Sequence, residues 1–533
     1  MIKKYSHYLL TIVIAVLLVQ CAKRGSPTGG PIDEAPPEIL RSFPDNYSVN
    51  FENQRIEITF NEYIKLNELQ KQLVISPPLE YRPLIKPQGG VSKKLTIEIT
   101  DTLRDNTTYV LNFGQSIVDN TEGNPYPFFK YVFSTGSYID SLSISGSISD
   151  ALNVEADDYV NVMLYEVDST YSDSIIYKET PRYVVNTLDS LTTFTMENLK
   201  AGTYRLLALK EKSSNLKFDP KVDKIGFISE PIKVPTDEIF EIQMFQPIQD
   251  VGVDRARHIG QSRIQVGIFG ELDSLNIEPL DKSLISESRT TKLDKKDTLE
   301  YWYKPIIEQD SLILTTTYGT FKDTLTTRLK EDLDIDSLEI AKYGQFSLST
   351  PLQLTANTPI VDTDPLLMNL IDKDSVPQDF AIRLDSLKNI LTYSFNVQPE
   401  QRYNLKLLPG AITDFYGYTT DTITNVFTTR ATSDLGNIPV TLEGGTDFPV
   451  IIQITMENLE VVASQVANSN GEYNFEYLDP GNYYIRVIYD RNNNGRYDPG
   501  NWLLNRQPEK VVYYPELIPL QANWDYITTV KLE

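Results

Sequence analysis

The residues best suited to chemistry in this 533-residue chain lie near its C-terminus, in Asp490-Arg-Asn-Asn-Asn-Gly-Arg-Tyr-Asp-Pro-Gly-Asn501. Asp490, Asn492 and Asn494 set side-chain oxygens at alternate positions. Gly495 lets the chain bend, Arg496 offers its carbonyl, and Asp498 adds a second carboxylate. Hard oxygen ligands in that spacing suit Ca²⁺. The twelfth position, which a bidentate Glu fills in calcium loops of this spacing, is Asn501, and no helix is expected on either side. Two readings therefore stand: an Asn/Gly-rich turn, or a weak Ca²⁺ site that stiffens the last module. A related stretch occurs earlier as Lys210-Glu-Lys-Ser-Ser-Asn-Leu-Lys-Phe-Asp219-Pro220. With Lys210 and Lys212 read opposite Asp490 and Asn492, the loop's shape needs no metal.

Aromatic side chains crowd the same region: Trp502, Tyr513, Tyr514 and Trp524, with Tyr483 and Tyr484 nearby. Exposed, they would stack on a sugar or anchor a protein partner; buried, they fill a core. Catalytic groups are scarce. His258, in Asp254-Arg-Ala-Arg-His-Ile-Gly260, is expected at the surface or in a loop. No nucleophile elbow, His-Glu-x-x-His, phosphate loop or dinucleotide fingerprint accompanies it. The 73 acidic residues make carboxylate pairs common by chance, so carbohydrate cleavage is only a distant alternative. Against 49 Lys and Arg they leave a net charge of −24, which argues against a nucleic-acid partner. One Cys excludes an intramolecular disulfide framework and any zinc site built on several thiolates.

That one Cys has a telling address. Lys3 and Lys4 precede an apolar stretch from Leu9 to Val19 that ends at Leu18-Val19-Gln20-Cys21. A basic start and a short apolar run make a secretory signal, too short to span a bilayer. Here the chain resembles bacterial lipoproteins, which implies cleavage after Gln20 and acylation of Cys21. Gln20 departs from the small residue usual there. An anchor of two or more acyl chains holds a protein stably in a membrane. Residues 22–37, with four Pro and three Gly, read as a flexible tether. Their Arg-Gly-Ser-Pro-Thr-Gly-Gly-Pro run is similar to envelope lipoproteins of the Bacteroidota. Lys23 and Arg24 replace the acids usual after the Cys of surface-displayed members, so the face of the outer membrane stays open.

The elements that must position these residues are strands. Arg55–Phe60, Leu95–Ile99, Val160–Tyr165 and Ile485–Tyr489 alternate apolar and polar residues, the mark of half-buried strands. Turn clusters at short intervals point to β-sandwiches. Short helices are expected only around Asn67–Leu73 and Asp332–Ile340. The recurring Asp-Ser-Leu, at Asp140, Asp189, Asp273, Asp310, Asp336 and Asp385, reads as a turn-to-strand junction.

The chain also repeats itself. Thr108–Gly114, Ile117–Asp119 and Tyr131–Gly136 match Arg402–Leu408, Ile412–Asp414 and Asn425–Thr429, and Phe194–Leu206 matches Tyr473–Ile485. The first pattern, with Ser42–Val49, Ile56–Ile64 and Leu73–Leu79, resembles bacterial Ig-like domains. Its second copy keeps mostly the C-terminal half. The other pattern, with Ile144–Asp150 and Asn198–Tyr204, resembles transthyretin-like domains of the carboxypeptidase-regulatory and collagen-adhesin B types. Both resemblances imply scaffold or adhesion modules.

The expected order is a signal peptide (1–20), a tether (21–35), an Ig-like domain (36–137), a transthyretin-like domain (138–247) and an additional β-sandwich (248–345). A second Ig-like (346–432) and a second transthyretin-like domain (433–533) follow. The fold class is all-β, tandem Ig-like and transthyretin-like β-sandwiches in an extended multi-domain chain. The expected role is a lipid-anchored, non-enzymatic envelope scaffold or adhesin that binds a protein or glycan. The alternative is an accessory lipoprotein of an outer-membrane β-barrel complex.

Overall fold

A computed structural model describes residues 33–533, apart from 188–190, 271, 273–274, 294–295, 332, 335, 344–345 and 533. Cys21, the apolar leader and all of the tether but residues 33–35 lie outside the described residues. The chain divides into two compact units. One ends at Ser141 and takes in Asn198–Lys200; the other holds Leu142–Glu197 and Ala201 onward.

The first unit is a sandwich of two antiparallel sheets. One runs Ile39–Phe43, Arg55–Leu66, Ser92–Glu98, Leu84–Lys86, with Ile117–Asp119 on the far half of Arg55–Leu66. The other runs Val74–Ser76, Thr108–Asn112, Lys130–Ser134. Ile56, Ile58 and Phe60 alternate with Arg55, Glu57 and Thr59, so one face of the long strand is apolar. That face closes on Tyr109, Leu111, Tyr131 and Phe133. Leu69–Gln72 forms the short helix expected there. A hydrogen-bonded corner braces the strand ends. The Arg104 N–H donates to Tyr109 Oη at 2.9 Å, and Thr135 Oγ1 donates to the Arg104 carbonyl at 2.7 Å.

The second unit holds four further groups of strands, over 142–244, 252–328, 340–428 and 436–531. The first and last share one topology, strand for strand. In 142–244 the order is Thr193–Leu199, Leu142–Asp150, Ile239–Met244 in one sheet. The facing sheet runs Tyr183–Asn186, Asn161–Glu166, Gly202–Lys210, Lys224–Phe227. In 436–531 it is Gly471–Leu478, Gly436–Glu443, Thr528–Lys531, facing Val461–Ala467, Val450–Met456, Gly481–Tyr489, Val511–Tyr513. In both, the last strand lies parallel to the first. The group 252–328 pairs a four-stranded sheet with a three-stranded one over a core of Ile264, Val266, Tyr301 and Leu314.

The group 340–428 repeats the first unit more fully than its sequence suggests. Ile340–Tyr343, Leu352–Ala356 and Ile360–Thr363 supply the N-terminal strands whose sequence pattern has faded. Where the first copy runs one long strand, the second breaks it between Ala356 and Ile360. The same corner recurs: the Gln398 N–H donates to Tyr403 Oη at 2.8 Å, and Thr429 Oγ1 donates to the Gln398 carbonyl at 2.7 Å. The described residues of 332–340 are not helical. Asp336 is drawn into an ion pair with Arg263 at 2.9 Å, and Ile340 opens a strand. Strands follow the Asp-Ser-Leu tripeptide closely at Asp140 and Asp310, whereas Asp385 ends a strand and caps the turn after it. The copies at Asp189 and Asp273 lie outside the described residues.

Candidate functional site

The loop after strand Gly481–Tyr489 is held by carboxylates bonded to backbone N–H groups. Asp490, 2% exposed, accepts from Asn494 N–H at 3.0 Å through one oxygen and from Gly495 N–H at 2.8 Å through the other. Asn492 and Asn494 both donate side-chain N–H to Asp498 Oδ2, the latter at 2.9 Å. The Asn494 side chain also accepts from Arg496 N–H at 2.9 Å. The candidate ligands Asp490, Asn492, Asn494 and Asp498 are thus brought together, and their polar atoms largely satisfy one another. Among the described residues no three His, Cys, Asp or Glu side chains group as a metal site.

Sequence reasoning missed the residue that closes this loop. Glu509, 4% exposed, accepts from Arg491 N–H at 2.8 Å and from Asp498 N–H at 3.0 Å, so one carboxylate ties both ends together. Burial pushes its carboxyl above the usual range, while the two N–H bonds pull the other way. The available signal was an acid set just before an apolar strand, Val511–Tyr513.

The second module contains the same device, and it corrects the pairing of the two loops. Glu211, and not Lys210, takes the part of Asp490, accepting from Asn215 and Leu216 N–H at 2.8 and 2.9 Å. Asp223, fully buried, takes the part of Glu509, accepting from Lys212 and Asp219 N–H at 3.0 and 2.8 Å. The backbone agrees. Ser214 and Leu216 have φ of 52° and 57°, where Asn493 and Gly495 have 58° and 75°. Shifted by one residue, the second module keeps an acid at the first position. It retains the loop with a Ser and a Leu where Asn492 and Gly495 stand.

The four aromatic candidates have different fates. Trp502 is not an exposed stacking surface; it is 3% exposed and plugs the second module. Its Nε1 donates to the Asp173 carbonyl at 2.7 Å, its ring meets Phe227 edge-on at 5.1 Å, and the Arg205 guanidinium lies 4.7 Å from its centroid. Tyr513 donates its hydroxyl to the Leu152 carbonyl at 2.6 Å. Gln507 donates to the Phe227 carbonyl at 2.9 Å. Tyr514 packs at the edge of the last core. Trp524 keeps 51% of its surface exposed, close in sequence to Ile527 at 74%. Packing in the second unit is therefore not restricted to modules adjacent in sequence.

His258 is buried in a strand, contrary to the surface position expected of it. Its Nδ1 accepts from Lys330 N–H at 3.0 Å, which leaves Nε2 to carry the proton toward Tyr303 Oη at 3.2 Å. Burial lowers its pKa, and the nearby Lys330 adds to that. A neutral ring bonded on both sides is a brace between Lys330 and Tyr303.

No curated protein matches the chain. Among solved structures it is similar to the surface layer protein SbsC, domains 1–6. Identity is 11%, with 91% of this chain and 67% of that one covered and a TM-score of 0.15. For BcpA, the major pilin subunit of Bacillus cereus, identity is 10%, coverage 74% and 99%, and the TM-score 0.14. For the Group B Streptococcus pullulanase SAP, identity is 18%, coverage 30% and 22%, and the TM-score 0.12. TM-scores this low establish no common arrangement. The family match is local: residues 33–135, which include the sandwich of the first unit, match the bacterial Ig-like domain.

Proposed function

We propose that this chain is a lipid-anchored scaffold or adhesion protein of the bacterial cell envelope. In this reading acyl chains on Cys21 hold it in the outer membrane, and it binds a protein or glycan partner without chemical turnover. The observation that carries it is the use made of the chemistry-capable side chains. Asp490, Asp223, Glu211, Glu509 and His258 all spend their polar atoms on backbone or neighbouring side chains. The bacterial Ig-like match over 33–135 supports the same reading. Of the aromatic candidates, Trp524 is the one with its ring in solvent, and it is the residue assigned to partner contact.

Fractionation of cells expressing Cys21→Ala tests the anchor: the variant should leave the membrane fraction, and its retention there would sink the proposal. Extraction of the wild-type protein in mild detergent tests the role. A barrel protein recovered at fixed stoichiometry would make this an accessory subunit. Binding to glycan or matrix arrays, reduced by Trp524→Ala, is the result expected of an adhesin.

A further inference from the structure

The two copies that share a topology differ where they touch. Between Asp219 and Asp223 the second module has three residues; between Asp498 and Glu509 the fifth has ten. Its seven additional residues, about 500–506, form a finger. Asn501 and Arg506 exchange backbone hydrogen bonds of 2.7 and 2.9 Å across the finger's base. Joining the loop to the next strand does not require this finger, because the second module makes the same join without it. The addition enlarges a contact that Gln507 and Tyr513, outside the finger, also make with the second module: Trp502 sits against Arg205 and Phe227, and Gly500 lies so close to Phe245 that a Cβ there would stand 2.5 Å from its ring.

We propose that the finger is a cis-docking clasp: it binds the fifth module to the second and closes 248–432 into a loop between two fastened ends. The partner of this surface is the chain's own second module. Its chemistry is a buried guanidinium and an aromatic edge that receive an indole. Tension applied across the chain reaches the second module through the clasp before the third and fourth modules carry it. The contact is built from one plug and a few hydrogen bonds, and contacts of that kind between domains part more readily than a sandwich core unravels.

Pulling the full chain from its two ends in an optical trap tests this. Opening the clasp should add at most the span of two folded modules, under roughly 100 Å. Unravelling one module of about ninety residues adds roughly 300 Å. The expected record shows the small, reversible step first and the large steps afterwards. Trp502→Ala and Gly500→Ala should each remove the small step and leave the large ones. Solution scattering on the same proteins should show a larger radius of gyration for both variants, with unchanged far-ultraviolet circular dichroism. A first step already of module size, a small step that survives both variants, or an unchanged radius would overturn the proposal.

Discussion

Asp223 and Glu509 stand in for one another. Each is a buried carboxylate that accepts one backbone N–H from the start of a loop and one from its end, in modules of identical topology. The side chains differ by a methylene, and the loops they close share little sequence.

Removing either clamp leaves two part-buried N–H groups without their acceptor. Glu509→Ala and Asp223→Ala should each cost roughly 2–4 kcal/mol, the penalty for two unmet donors. Glu509→Gln, which keeps one acceptor oxygen, should cost less than the alanine. Urea unfolding followed by circular dichroism reads these differences; equal midpoints for wild type and both alanine variants would mean the clamps bear no weight.

Calcium should add little to the loop. Asp490 already spends both oxygens on backbone N–H groups, and Asp498 takes two side-chain amides on one oxygen. Chelation of the full-length protein is therefore expected to leave its melting temperature unchanged. A fall of several degrees, reversed by added Ca²⁺ and absent in Asp498→Ala, would instead put a cation among Asp490, Asn492, Asn494 and Asp498.

His258 should make stability depend on mild acid. Its pKa is lowered in the folded state, so between that value and the unfolded value of about 6.5 the unfolded chain binds a proton that the folded chain does not. Its contribution is therefore complete above about 6.5 and lost as the pH falls toward the folded pKa. Denaturation midpoints taken from pH 7.5 to 5.5 should drop, and His258→Gln should flatten that slope. An identical slope in the variant would show that another group is responsible.

Tyr109 and Tyr403 offer a matched pair. Replacing either by Phe removes the acceptor for one part-buried N–H, Arg104 or Gln398, at a cost of about 1 kcal/mol. The two losses should be similar and independent, since the residues lie in different compact units. A double variant whose loss falls well short of the sum would contradict that independence.

The strands themselves were readable from sequence because alternation is a local property. Ile56, Ile58 and Phe60 declare their face without help from elsewhere. The duplication was readable where turn and core coincide, as at Gly202-Thr-Tyr204 and Gly481-Asn-Tyr483. It faded at Ile340–Ala356, where the pairing partners survive and the residues do not. The loop pairing slipped by one because Lys210 and Asp490 look equivalent when counted from the strand. Which carboxylate meets which N–H depends on φ at Ser214 and Leu216, and those residue types do not announce a positive value. Trp502 read as either core or binding surface because the partner that buries it lies some three hundred residues away.

The parallel pairing of first and last strands has a further consequence. Leu142–Asp150 and Ile239–Met244 point the same way, as do Gly436–Glu443 and Thr528–Lys531. A chain wired like this comes in at one pole of the module and goes out at the opposite pole. An antiparallel closing strand would return it to the pole where it began, and a neighbour on each side would compete for that space. Through-wiring gives the unit a head and a tail, so a copy can be spliced into a row without rerouting its neighbours. It is the geometry of a bead drilled end to end, well suited to duplication.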